Sequence, residues 1–145
     1  MKTLKHYSIF IIFLIFISCN VSPKPIEYGS DGCHFCKMTI VDKVHAAEFV
    51  TKKGKTYKFD ATECMVNYLE EFDTSEIELY LTNYFSKPET FTDATTATFL
   101  ISKKIPSPMG AFLTAFKERS QAEKIQTEKG GELYSWTELL DHLKN

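Results

Sequence analysis

AAEFVTKK, Ala46–Lys53, and ATFLISKK, Ala97–Lys104, are two versions of one phrase. Each is an apolar strand pattern closed by a lysine pair. Each is followed by a loop, a short apolar strand, a helix and another strand. In the first copy Ala46–Thr51 reads as a strand, Lys52-Lys53-Gly54-Lys55 as a polar turn and Thr56–Phe59 as the return of a hairpin. The period then changes. Across Asp60–Phe72, residues Cys64, Met65, Tyr68, Leu69 and Phe72 fall at helical spacing. Asp60 or Thr62 is placed to cap that helix, with Glu63 set for a capping box behind Asp60. Ile77–Tyr84 alternates apolar with polar and reads as a strand. In the second copy Ala97–Ser102 is a strand, Ala111–Phe116 is read as a strand, Ser120–Lys129 as a polar helix stopped by Gly130-Gly131, and Glu132–Tyr134 as a last strand. Ser135 caps a closing helix, Trp136–Leu143, with Glu138 three residues on. Lys87–Thr92 reads as a connection around Pro88. Upstream of both copies, Cys36–Asp42 reads as a further strand. The expectation is an α+β fold of two related β-β-α-β modules, about residues 33–86 and 87–145.

The 145 residues suffice for one domain with a modest core. A net charge of -2 gives no basic footprint, so no nucleic-acid partner is expected. Lys2, Lys5 and His6 precede an unbroken apolar run, Ile9–Ile17, too short to span a bilayer. It has the length of a signal-peptide core. It ends in Phe16-Ile17-Ser18-Cys19, which resembles a bacterial lipobox with Phe16 in place of the usual leucine. Residues 1–18 are therefore expected to be a lipoprotein signal peptide and Cys19 the lipidated residue. Acyl chains acting together would anchor the protein to a membrane. Residues 19–32, with Pro23, Pro25, Gly29 and Gly32, read as lipidated cysteine and tether, leaving 33–145 as the folded domain.

With Cys19 set aside, Cys33, Cys36 and Cys64 remain, an odd number for a disulfide framework. Cys33–Met38, CHFCKM, pairs a C-x-x-C with a methionine two residues on. If a strand begins at Cys36, Cys36 and Met38 share a face. A thiolate and a thioether make a soft pair of the kind that selects monovalent copper. The competing reading is a redox C-x-x-C with Met38 in the core. Met109 lies between Pro108 and Gly110, outside any periodic stripe. It reads either as a third soft ligand on a stiffened loop or as a methionine capping the core. Cys64 and Met65 are expected in the core, with Cys64 able to face CHFC if its helix packs behind the first strand. His34 is an auxiliary ligand or an exposed loop residue, and His45 is a borderline ligand. The charges of Tyr57–Asp60 and Glu70-Glu71 read as solvated faces. Zinc would want four closed nitrogen or sulfur ligands.

CHFCKMTIVD, HAAEFVTKKGKTYKFDATECMVNYL, FTDATTATFLISKKIPSPMGAFLTAF and GGELYSWTELL, in that order, resemble the NosL family. These are accessory lipoproteins of nitrous-oxide reductase maturation. The resemblance implies an α+β fold similar to a domain of organomercurial lyase. It implies a copper chaperone on the periplasmic side of a bacterial membrane that binds Cu(I). The copper would pass to the machinery that builds the copper-sulfide cluster, a membrane ABC-type complex and its periplasmic subunit. The family's ligands carry over onto Cys36, Met38 and Met109, with Cys33, His34 and Cys64 as further candidates. The family often has glycine where this chain has Lys37, a change that on a strand would point away from the metal. Other readings stand beside this one. They are a periplasmic thiol-disulfide oxidoreductase using Cys33 and Cys36, a divergent organomercurial lyase, and a passive lipoprotein with a Cys33–Cys36 disulfide.

Overall fold

The computed structural model describes residues 21–144. The expected signal peptide, residues 1–18, and the expected lipidation of Cys19 lie outside the described residues. The elements run β1 (Ala47–Thr51), β2 (Thr56–Phe59), α1 (Thr62–Leu69), a 3-10 turn (Thr74–Glu76), β3 (Ile77–Tyr84), β4 (Lys87–Asp93), β5 (Thr98–Ile101), β6 (Leu113–Phe116), α2 (Arg119–Lys129), β7 (Glu132–Tyr134) and α3 (Trp136–Lys144).

The repeated phrase becomes a repeated topology. β1 and β5, its two copies, are each the middle strand of an antiparallel trio. β2 and β6 return beside them as hairpin partners, with Phe49 opposite Tyr57 and Phe99 opposite Ala115. A helix then carries the chain over, and β3 or β7 pairs on the other side, Phe49 with Tyr80 and Phe99 with Tyr134. The sheet orders are β2-β1-β3-β4 and β6-β5-β7. One apolar cluster runs through both units, from Phe49, Phe59 and Met65 to Phe99, Leu113 and Leu139. Phe49 is its aromatic centre, with ring centroids 4.7 Å from Tyr57, 5.4 Å from Phe59 and 4.8 Å from Phe72.

Caps and turns decide the boundaries. Ser135 and Glu138 form the expected box: the Ser135 N–H donates to Glu138 Oε2 at 2.7 Å and the Glu138 N–H to Ser135 Oγ at 3.4 Å. Gly130 ends α2 at φ 71°. A Cβ on Gly131 would stand 2.2 Å from the Ile101 carbonyl oxygen, so only glycine lets β7 enter beside β5.

Four expectations are corrected. Lys87–Asp93 is a strand, β4, and not a connection. Pro88 is tolerated there because β4 is an edge strand and need not donate on its outer side. Helix α1 is capped neither by Asp60 nor by Thr62: its N-cap is Ala61, without a side-chain bond. Asp60 is no solvated residue; it is buried, as is Glu63. Finally, Cys36–Asp42 is not a strand. It contributes a single bridge, Thr39 to Gly32, at the foot of a tight turn.

The approach to that turn is bound to the domain. Ile26 is buried in the core. The Lys24 N–H donates to Glu48 Oε1 at 2.9 Å, and Lys58 Nζ donates to the Pro25 carbonyl at 2.7 Å and to Asp31 Oδ2 at 2.6 Å. Residues 24–31 thus lie as a strap over the face of the first sheet that carries Glu48.

Candidate metal centre

The CHFC turn is built by its own backbone. The Cys33 N–H donates to the Met38 carbonyl at 2.8 Å, and the Lys37 N–H returns to the Cys33 carbonyl at 3.1 Å. Lys37 sits at φ 65°, in the left-handed region that glycine occupies most cheaply. This breaks strand alternation between Cys36 and Met38. Backbone N–H groups of Phe35 and Cys36 favour the ionised Cys33 sulfur, and that of Met38 favours the ionised Cys36 sulfur. The turn is docked onto β2, where the His34 N–H donates to the Lys58 carbonyl at 2.9 Å.

Helix α1 delivers the third sulfur. Cys64 lies in its first turn, and the Sγ atoms of Cys33, Cys36 and Cys64 all fall within 4.8 Å of one another. All three are free thiols. Cys64 is 0% exposed and Cys33 2%, while Cys36 is half-buried. The hydrogen bond from the Cys64 thiol, with N–H groups of Asp60, Cys36 and Phe35, holds the Cys33 thiol far below its ordinary pKa, against the upward push of burial. Cys64 is pushed up, first by donating to Cys33 and then by burial. Cys36 is also raised, chiefly by burial. Of the three thiols, Cys33 is thus the one whose neighbours favour ionisation. Asp60 stands beside it, its carboxyl raised by burial and then by the negative Cys33, with Oδ1 unpartnered.

Met38 and Met109 lie at the surface. Met38 is 58% exposed and Met109 41%, so neither is a core residue. Phe35 and Val41 are the other large apolar side chains exposed among the described residues. Met109 is the tip of a turn closed by the Gly110 N–H on the Ser107 carbonyl at 3.1 Å, with Gly110 at φ 79°. Ser107 ties that turn to α1: its hydroxyl donates to Glu63 Oε1 at 2.6 Å, one residue from Cys64. The other Glu63 oxygen is buried without a partner.

The histidines are occupied differently. His45 is buried, with Nδ1 2.9 Å from Asp42 Oδ1 and Nε2 3.1 Å from Thr114 Oγ1, so both ring nitrogens are spent on structure. His34 Nδ1 lies 3.1 Å from the Lys58 backbone N and its ring rests 4.9 Å from Tyr57. The structure thus brings Cys64 to Cys33 and Cys36. The Glu63–Ser107 tie and the burial of Asp60 have no local sequence signal, because both depend on where α1 packs.

The NosL family model matches residues 25–143. The chain belongs to the NosL family. A similar relative is the copper-binding lipoprotein NosL of Stutzerimonas stutzeri, 26% identical over 127 residues, covering 81% of this chain and 67% of that protein. The fold is that of the copper chaperone NosL from Shewanella denitrificans, whose crystal structure superposes with a TM-score of 0.71 at 24% identity, over 82% of this chain and 96% of that one. Within the NosL fold, the C-x-x-C here occupies a backbone-closed turn and does not open a helix. Among the described residues no helix is long and apolar enough to cross a membrane.

Proposed function

We propose that this protein is a lipid-anchored carrier of Cu(I), held by Cys19 on the periplasmic side of a bacterial membrane. It is a carrier and not an enzyme. The observation that carries the reading is the cluster of three free thiols within 4.8 Å of one another, with an exposed thioether two residues after Cys36 and a second on a loop tied to α1, all soft donors of the kind monovalent copper prefers. The names of the two relatives, a copper-binding lipoprotein and a copper chaperone, support it. In this reading Cys36, Met38 and Met109 meet copper at the surface. A low-coordinate ion there leaves an edge free, so a partner's ligand enters before the old ones leave. The recipient is the maturation machinery of nitrous-oxide reductase, its membrane ABC-type complex and periplasmic subunit, where the copper-sulfide cluster is assembled. In the thiol-oxidoreductase alternative the C-x-x-C would be expected to open a helix, and here it lies in a turn.

The test is a Cu(I) titration against a chromophoric chelator under reducing conditions. The protein should take up copper in stoichiometric amount, and Cys36→Ser should lose that binding. A protein that takes up none, or a Cys36→Ser variant that binds unchanged, removes the reading.

A further inference from the structure

We infer that the centre has two stations for one Cu(I) ion: a buried holding site formed by Cys33, Cys36 and Cys64, and an exposed exchange site formed by Cys36, Met38 and Met109. The inference rests on the carrier reading above and adds to it an inner site and a role for Cys64.

The observations are geometric. A metal–sulfur bond of about 2.3 Å puts three sulfurs of a trigonal site about 4 Å apart. The three Sγ atoms already lie within 4.8 Å of one another, so a modest contraction suffices. Two of these sulfurs are sealed in the core and a partner cannot reach them. The two thioethers are the reverse, exposed and neutral. Cys36 is half-buried, belongs to the thiol triangle and stands two residues before Met38. Of the three it alone is not sealed in the core, so it is the sulfur that can serve both sites. The loop bearing Met109 is fixed through Ser107 to Glu63, the residue preceding Cys64, so the outer ligand is anchored to the element that carries the inner one.

The chemistry balances without a redox step. Copper remains monovalent throughout. A thiol that binds it gives its proton to water, and takes one back when copper leaves. Thiolates bind the soft ion strongly and burial keeps it from stray ligands. Thioethers bind it more weakly and in the open. Holding and release are thus divided between the stations, with the Cys36 sulfur never letting go between them.

The experiment uses the full chain labelled with ¹³C-methyl methionine, one equivalent of Cu(I), and bathocuproine disulfonate as a bulky acceptor. The first equivalent should leave the Met38 and Met109 methyl resonances near their copper-free positions. Cys64→Ser should bind at least tenfold more weakly, and copper should now shift both methyls. The double variant Met38→Leu/Met109→Leu should hold copper within about threefold of the wild-type affinity, yet release it at least tenfold more slowly. The inference is overturned if the first equivalent shifts both methyls fully in the wild type, or if Cys64→Ser binds as tightly as wild type. The wild-type spectrum decides even if the Cys64 variant does not fold. Loss of all copper binding in wild type would instead sink the carrier reading.

Discussion

Replacing Ser107 with alanine tests how the thioether loop is held. The Ser107 hydroxyl donates to Glu63 at 2.6 Å and stands 3.4 Å from the Leu113 N–H. Both Ser107 and Glu63 are buried, and the second Glu63 oxygen already lacks a partner. Ser107→Ala therefore leaves a buried carboxyl with neither oxygen bonded. A hydrogen bond to such a group contributes about 1.5–3 kcal/mol, and the orphaned acceptor places this case toward the upper end. We expect a loss of about 2–3 kcal/mol, read from the urea midpoint with the slope of the transition unchanged. Glu63→Leu in the Ser107→Ala background should cost much less than in wild type, because the partner it served is gone. Release of copper to bathocuproine disulfonate should slow toward that of Met109→Leu. A Ser107→Ala protein within about 0.5 kcal/mol of wild type would refute the reasoning, since ordinary surface substitutions fall in that range.

Glu48 predicts a pH dependence. Burial raises its carboxyl from 4.5 to about 7, against the pull of the Lys24 N–H. The folded state thus binds the proton more tightly than the unfolded state, and stability should fall as pH rises from about 4.5 to 7 and then level off, by a few kcal/mol at most. Glu48→Gln should flatten that slope in denaturation series across the window. Phe49→Ala, at the centre of the aromatic cluster, should cost about 3–5 kcal/mol by the same assay. Gly131→Ala meets the Ile101 carbonyl at 2.2 Å from a residue at φ 104°, and should lower stability by about 2 kcal/mol or more; an unchanged melting temperature would show that β7 shifts freely.

Periodicity carried most of the architecture. The hairpin of β1 and β2, the helices α1 to α3 and the twin sheets follow from the doubled phrase and its turn residues. What escaped was decided by contacts rather than by local preference. The β-branched run after Cys36 looks like a strand, but the preceding turn closes on itself between Cys33 and Met38 and bends at Lys37. Lysine there conceals the left-handed residue that glycine would have announced. β4 escaped because proline argues against a strand in general but not against one at an edge. Asp60 and Glu63 carry the local signature of a cap, and their burial beside the thiols is set by the packing of α1 on the first sheet.

The same distinction bears on the sulfurs. Cys33 and Cys36 are neighbours in any conformation of the chain, so an unfolded chain retains part of their affinity for copper. Cys64 joins them only when α1 is docked. A ligand stabilises a fold only by the difference between its binding to the folded and unfolded states; at a hundredfold excess over the dissociation constant that is about 2.7 kcal/mol, less whatever the unfolded chain binds. The stabilisation that copper adds is therefore a measure of what Cys64 and Met109 contribute beyond the local C-x-x-C and Met38. In the two-station proposal, sealing one of these distant donors in the core and leaving the other on a pinned loop would make copper retention depend on the fold and copper release on the exposed thioethers.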